Sequence, residues 1–280
     1  MKRLATCLFI AATLIGRSGS CGVSPDPNIS VFAGLIRKTA KERNVSLSAA
    51  ADLLHGLGVR GFDANPDDPD LPGLAATRLK PVNFYCFPRM FGPDGGEADF
   101  LRVLDAARRY DVPRVMVVPP GFTPDGDREG EFRVLLSGMK SFVAEAKKRG
   151  ITVTVEDFGN TANAGSYMGY LKRFLDGIPD LGFTLDSGNL YYAGRGEDIL
   201  EMMAYAKGRI AHVHLKDQTA EDNRKYATLG LGAVPNERIV KTIGATGYDG
   251  WYTLENPVGD AYNDTVRQTA LLKAWLAEVK

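Results

Sequence analysis

The sequence predicts a single (β/α)8 barrel with its active site at the carboxyl ends of the strands, on three observations. From Ile29 onward, short β-rich runs alternate with amphipathic helical stretches, the pattern of repeated βα units. Eight such units can be counted, and 280 residues at 44% hydrophobic are enough for one large barrel core. No Gly-rich phosphate loop follows the first strand, which argues against a doubly wound open sheet.

The chain starts Met1-Lys2-Arg3, continues with an apolar run from Leu4 to Ile15, and meets Ser18-Gly19-Ser20 before Cys21. A basic start, a short apolar stretch and small residues at the cut resemble a secretory signal. The run is too short to span a bilayer as a mature helix. A cysteine directly after the small residues also resembles a bacterial lipoprotein site, although Arg17 departs from that pattern. The expected organisation is a signal peptide over 1–20, a Pro/Ser/Asn-rich linker over 21–28 and a barrel over 29–280. The expected location is export, either periplasmic or anchored by lipid at Cys21. The alternative takes Leu4–Ala12 as the first strand of a cytoplasmic protein.

Within the barrel the strand candidates are Ile29–Gly34, Val59–Asp63, Val82–Cys86, Arg114–Val118, Ile151–Glu156, Gly182–Asp186, Ile210–Leu215 and Trp251–Glu255. Helices are expected over Ser48–Leu57, with Ser46 as N-cap, and over Glu97–Tyr110, Phe132–Arg149 and Tyr167–Gly177. Further helices are expected over Glu197–Lys207, Asn236–Gly244 and Asp264–Val279. Two longer connections, Pro119–Glu131 and Gln218–Pro235, follow strands at the expected active face and are candidate lids. Lys plus Arg equals Asp plus Glu at 34 each, so no overall field draws a polyanion, and nucleic acid is not an expected partner. Cysteines at 7, 21 and 86 offer no disulfide framework.

The chemistry concentrates on Arg209–Asp217, which holds two of the three histidines. Strand side chains alternate between faces, so His212, His214 and Lys216 share one face while Ala211, Val213 and Leu215 share the other. The same design recurs where Thr154 and Glu156 oppose Val153 and Val155, where Thr184 and Asp186 oppose Phe183 and Leu185, and where Thr253 and Glu255 share a face. Glu156, Asp186, His214 and Glu255 thus end strands five to eight, about one βα unit apart, and a barrel brings them to one rim. Three carboxylates in a partly buried mouth repel one another unless a cation compensates them. One divalent ion held by Glu156, Asp186, His214 and Glu255 does so. The mixed donor set suits Mn, Co, Mg or Zn. Thr154, Thr184, His212 and Thr253, one inward position lower, are expected to orient the carboxylates, and His212 is the alternative to His214 as ligand.

Val155-Glu156-Asp157, Leu185-Asp186-Ser187-Gly188-Asn189, Ile210 to Asp217, Leu229-Gly230-Leu231-Gly232 and Gly247 to Glu255 form an ordered set. Together they resemble the xylose isomerase-like TIM barrels, the sugar phosphate isomerase/epimerase superfamily, from about Ile29 to the C-terminus. The resemblance implies Glu156, Asp186, His214 and Glu255 as metal ligands. It also implies that Glu156 and Glu255 face the reacting carbon from opposite sides and exchange its proton through an enediolate. Two departures stand out. The family often has a histidine where this chain has Asn189, and the arginine that ketose epimerases place shortly after the strand-seven histidine is absent from its usual spot, Arg224 being only a distant candidate. Tyr85, Arg89, Asn189, Lys216 and Arg224 are the candidate substrate contacts. Endonuclease IV shares the barrel, but its histidine-rich zinc site cannot be built from three histidines.

The leading expectation is a metal-dependent sugar isomerase or epimerase with a small carbohydrate substrate. The alternatives are a metal-dependent lyase that cleaves a keto-glycoside by elimination, and a sugar-binding barrel without activity. Oligomeric state is not legible in the sequence.

Overall fold

A computed structural model describes residues 26–279. The signal-like segment, Cys21 and most of the expected linker lie outside the described residues. Eight parallel strands close into a barrel. They are β1 (Asn28–Phe32), β2 (Val59–Ala64), β3 (Lys80–Cys86), β4 (Arg114–Val117), β5 (Thr152–Glu156), β6 (Gly182–Asp186), β7 (Ile210–Leu215) and, after the short hairpin strands β8 (Asp217–Gln218) and β9 (Tyr226–Ala227), β10 (Trp251–Leu254). Each strand pairs with its sequence neighbours, and β1 closes the ring by pairing Asn28 to Val31 against Trp251 to Leu254.

Period-two alternation divides each strand between two environments. Phe62, Phe84, Val153, Val155, Phe183, Leu185, Val213 and Leu254 are buried among the apolar residues of the surrounding helices. The inward face is polar: Ser30, Asp63, Asn83, Thr154, Thr184, His212 and Thr253 are all fully buried. Burying such groups is tolerable only when they bond to one another, and they do, as described below.

The first two units differ from the sequence expectation. Helix α1 (Ala33–Arg43) follows β1 at once, so Gly34 is helical, and α2 (Leu47–Gly56) follows it. The cause is legible in retrospect: Leu35, Ile36, Thr39 and Ala40 recur at helical spacing and are the face α1 buries. Asn44 stops α1 in the left-handed region at φ 53°, a conformation Asn tolerates. Ser46 caps α2, its hydroxyl accepting from Ala49 N at 3.2 Å. The second unit carries only α3 (Leu71–Ala75). The remaining helices are α4 (Glu97–Arg109), α5 (Arg128–Lys147), α6 (Met168–Gly177), α7 (Asn189–Tyr192), α8 (Asp198–Tyr205), α9 (Asn236–Gly244) and α10 (Ala261–Ala277). Asp127 and Asp260 cap α5 and α10 by accepting from Gly130 N and Asn263 N. Cys86 is a free, buried thiol that burial pushes up to about 12.

Candidate metal centre and active site

The carboxyl ends of β5, β6 and β7 place Glu156, Asp186 and His214 so that one ligand atom from each lies within 4.8 Å of the others. His214 Nδ1 is 2.7 Å from Glu156 Oε1 and 3.9 Å from Asp186 Oδ2. Asp186 is held by its own loop: Oδ1 accepts from Gly188 N and Asn189 N, both at 2.8 Å. The Ser187-Gly188 turn into α7 therefore aims the other oxygen into the site. Asp186 Oδ2 is buried without an aligned hydrogen-bond donor. Two carboxylates and an imidazole converging in a buried mouth fit a divalent cation, with Asp186 Oδ2, whose one partner is the Lys216 ammonium at 2.9 Å, free of any aligned hydrogen bond, so these residues suit the metal expected from the sequence.

Glu255, immediately after β10, shares the rim but is tied to a different cation. Lys216 Nζ lies 2.9 Å from Asp186 Oδ2 and 3.1 Å from Glu255 Oε2, with the lysine side chain only 6% exposed. Asn256 donates to the other oxygen, Oε1, at 3.1 Å. Asn256 holds a left-handed φ of 53°, a conformation that Asn tolerates, as at Asn44. Lys216 is itself anchored through its backbone, its N–H donating to Ser187 Oγ at 3.1 Å and its carbonyl accepting from Asn236 Nδ2 at 3.0 Å.

The electrostatics follow from burial against pairing. Burial works to raise the Glu255 carboxyl, but Lys216 and His214 hold it below its ordinary value. Burial raises Asp186 to about 7, with Lys216 opposing and Glu255 and Glu156 reinforcing. Burial opposes the charge of His214, yet its bonds to Asp63 and Glu156 raise it well above the usual histidine value. Burial likewise disfavours the Lys216 ammonium, but Asp186, Glu255 and Glu156 keep it charged.

The layer below is organised differently from expectation. Thr154 and Thr184 do not reach the acids; their hydroxyls bond each other at 2.7 Å. Thr253 bonds Ser30 Oγ at 2.7 Å, donates to Asp63 Oδ1 at 3.1 Å and lies 2.8 Å from His212 Nε2. His212 Nε2 is 2.8 Å from Asp63 Oδ2, and burial, opposed by Asp63, lowers this histidine to about 4. The hub of the layer is Asp63, at the end of β2, a residue the sequence reading passed over. It is the penultimate residue of β2, whereas Glu156 and Asp186 are the last of β5 and β6, but it closes the strand expected over Val59–Asp63, where an inward acid is the signal that could have found it. Burial works to raise Asp63, but the charge and hydrogen bonds of His212 and His214 hold it well below the carboxylate range.

The candidate substrate contacts divide. Tyr85 is at the mouth, its ring 5.7 Å from Phe32, whose own ring stands edge-on 5.0 Å from His214. Lys216 is in the site, though engaged by two carboxylates. Asn189 is turned away, its amide donating to Asp157 O at 2.8 Å. Arg224 is exposed on the hairpin loop, and Arg89 sits on the outer surface paired with Asp99 at 2.9 Å. Tyr226, on β9, went unnoticed in the sequence. Burial raises its phenol, Lys216 opposes that shift, and the charges of Glu255 and Asp186 add to it.

The chain matches the sequence model of the xylose isomerase-like TIM barrel family over residues 74–278. It belongs to that family. Solved structures share the family barrel at low identity. A probable 3-DHS dehydratase involved in petrobactin synthesis, from Bacillus anthracis, is 12% identical with a TM-score of 0.71, covering 88% of this chain and 98% of that one. The IOLI protein, with a bound zinc atom, is 15% identical with a TM-score of 0.71 over 90% of this chain and 99% of its own. The 3-keto-D-glucoside 4-epimerase of E. coli is 15% identical with a TM-score of 0.64 over 87% of this chain and 99% of its own. Among curated proteins, none matches the chain in sequence.

Proposed function

We propose that this family member is a divalent-metal-dependent isomerase or epimerase of a sugar or keto-sugar, working by proton transfer at the carbon next to a carbonyl. The observation that carries the reading is the convergence of Glu156, Asp186 and His214, with Glu255 on the same rim. A divalent ion held by the first three would withdraw electron density from adjacent carbonyl and hydroxyl oxygens and acidify the neighbouring C–H. Glu255, kept ionised by Lys216 and steadied by Asn256, takes the proton as the C–H electron pair moves toward the carbonyl, giving an enediolate. In the epimerase reading Glu156 would relay a proton from solvent to the opposite face while Glu255 releases its own to solvent, and the Lys216 ammonium, beside Asp186 and Glu255, offsets the negative charge that develops. Phe32, edge-on to His214, and Tyr85 beside it give the site an aromatic wall. The zinc of one structural relative and the epimerase activity named for another agree with this assignment.

A lyase is the second reading. With a glycosidic oxygen one carbon beyond the proton, the same enediolate expels it by elimination, as a dehydratase among the structural relatives would expel water. An exported protein, as the N-terminal segment suggests, meets glycosides more readily than cytoplasmic sugar phosphates.

Zinc- or manganese-loaded protein incubated in D2O with a panel of ketoses and 3-keto-glycosides is the test. Deuterium is expected at a substrate carbon, with Glu255→Gln slowing its entry by about 10²- to 10⁴-fold. Isomeric products identify an epimerase and cleaved fragments a lyase. Metal retained with no exchange across the panel sinks both and leaves a sugar-binding barrel.

A further inference from the structure

The interior of the barrel contains a second buried donor set, Asp63, His212 and His214, which shares His214 with the first. Its hydrogen-bond inventory decides what it does. The Arg114 guanidinium has only donors, and its NH1 lies 3.2 Å from His212 Nδ1, so Nδ1 accepts. The ring hydrogen of His212 is then on Nε2, which faces Asp63 Oδ2 at 2.8 Å. Asn83 Nδ2 donates to the same oxygen at 2.8 Å. His214 Nε2 is the third group on that oxygen, at 3.1 Å, and a carboxylate oxygen that only accepts requires a hydrogen there as well. His214 Nδ1 in turn lies 2.7 Å from Glu156 Oε1, so without an ion the ring carries a hydrogen on each nitrogen; the hydrogen an ion displaces is the one on Nδ1, which faces Glu156 and Asp186, and the one that stays on Nε2 is held by Asp63.

We propose that Asp63 is a positioning residue: held by Arg114 through His212, it fixes His214 in the Nε2–H tautomer and so selects Nδ1 as the nitrogen offered to the ion. This inference rests on the metal reading above. The chain runs from β4 through β7 and β2 back to β7, so a guanidinium at the amino end of the barrel sets the geometry of a ligand at its carboxyl end. It also excludes the lower set as a second ion site. An ion bound there would need Nε2 of both histidines free of hydrogen. His212 would then carry a hydrogen on Nδ1, donor against donor with Arg114, and His214 would present a hydrogen to Glu156 and Asp186 instead of a lone pair. Partners that orient a ligating imidazole in this way are worth about 10- to 100-fold in metal affinity.

The test uses the full chain with 15N-labelled histidine, zinc as the probe ion, and His55, on α2 outside the barrel, as internal reference. Two-bond 15N–1H spectra are expected to show His212 as the Nε2–H tautomer with or without zinc, and His214 bound through Nδ1 with Nε2 protonated. Competition with a chromophoric chelator is expected to give one zinc per chain, bound about 10- to 100-fold more weakly by Asp63→Asn. Arg114→Met should weaken zinc in the same direction and mix the His212 tautomers. Coordination through His214 Nε2, two zinc ions per chain, or an unchanged zinc constant in a folded Asp63→Asn protein overturns the proposal. A merely structural Asp63 would lower thermal stability and leave the zinc constant where it was. If Asp63→Asn fails to fold, the wild-type spectra decide alone. Wild-type protein that binds no zinc defeats the metal reading, whereas His212 protonated on Nδ1 in the metal-free protein defeats the relay independently.

Discussion

Lys216 is the residue on which the metal-free site depends. Its ammonium is the cation that lets Asp186 and Glu255 approach each other in a buried mouth. Removing one partner of a buried charge cluster leaves the others uncompensated, at about 3–5 kcal/mol. Lys216→Met should therefore destabilise the metal-free protein by about that amount in urea, and by clearly less in saturating zinc, where the ion supplies the missing charge. Equal losses in both conditions would show that the ammonium and the ion do not compensate the same acids.

His212 gives a pH dependence with a definite sign. Its folded-state value is about 4 against 6.5 when unfolded, so between those pH values the unfolded chain holds a proton that the folded chain does not. Stability from this group is present above pH 6.5 and is lost as pH falls toward 4, on the order of 3 kcal/mol in all. Asp186, raised from 3.8 to about 7, contributes in the opposite sense over the whole of that range, so the informative quantity is a difference. Subtracting the unfolding free energy of His212→Asn from that of wild type should give a curve that falls with acidification between pH 6.5 and 4. A flat difference would mean that His212 is protonated in the fold.

At the scale of elements, the strands were legible because most have one apolar and one polar face, and a barrel clad in helices sorts those faces in β5 and β6 and, beyond Ile210, in β7. The first unit was less legible. Ala33 to Arg43 carries only five core positions, one of them a threonine, among several charges, and a short apolar run beside it read more easily as the end of a strand. The site was legible where strand-end acids fell near the histidines. Asp63 escaped because its partners come from β3, β7 and β10, a convergence that only the closed ring creates. The roles of Thr154 and Thr184 were misjudged for the related reason that hydroxyls on adjacent strands find each other before they reach the next layer.

The loop after β7 is an element whose shape depends on one carboxylate. Asp217 accepts from the backbone N–H of Gln218, Gly230, Gly232 and Val234 at 2.9, 2.9, 3.1 and 3.0 Å. The Leu229-Gly-Leu-Gly232 stretch is thereby folded back against the hairpin that bears Tyr226. A Cβ on Gly232 would stand 2.2 Å from both Asp217 Oδ1 and Gln218 O, so only glycine fits the approach. Asp217→Ala should cost at least about 2 kcal/mol, since charge-assisted bonds are among the stronger ones. Limited proteolysis should then cut first between 218 and 235. Gly232→Ala should open the same segment, and cleavage that begins elsewhere in both variants would show that the carboxylate does not hold the loop.

Over the whole molecule, the donors proposed for the ion come from three adjacent strands, while their supports come from β2, β3, β4 and β10. No part of the ring can open without breaking hydrogen bonds that are continuous around it, so ion binding should be linked to global unfolding rather than to local opening. A ligand that binds only the folded state at 100 times its dissociation constant adds about 2.7 kcal/mol. In a chain of this size that corresponds to a rise in Tm of roughly 5–10 °C. Calorimetry of the full chain should accordingly show a single transition that EDTA lowers and zinc restores, with Glu156→Gln or Asp186→Asn abolishing most of the shift. Zinc that sharpened only a minor early transition, with the main one unmoved, would place the ion outside the barrel mouth or on a part that unfolds independently.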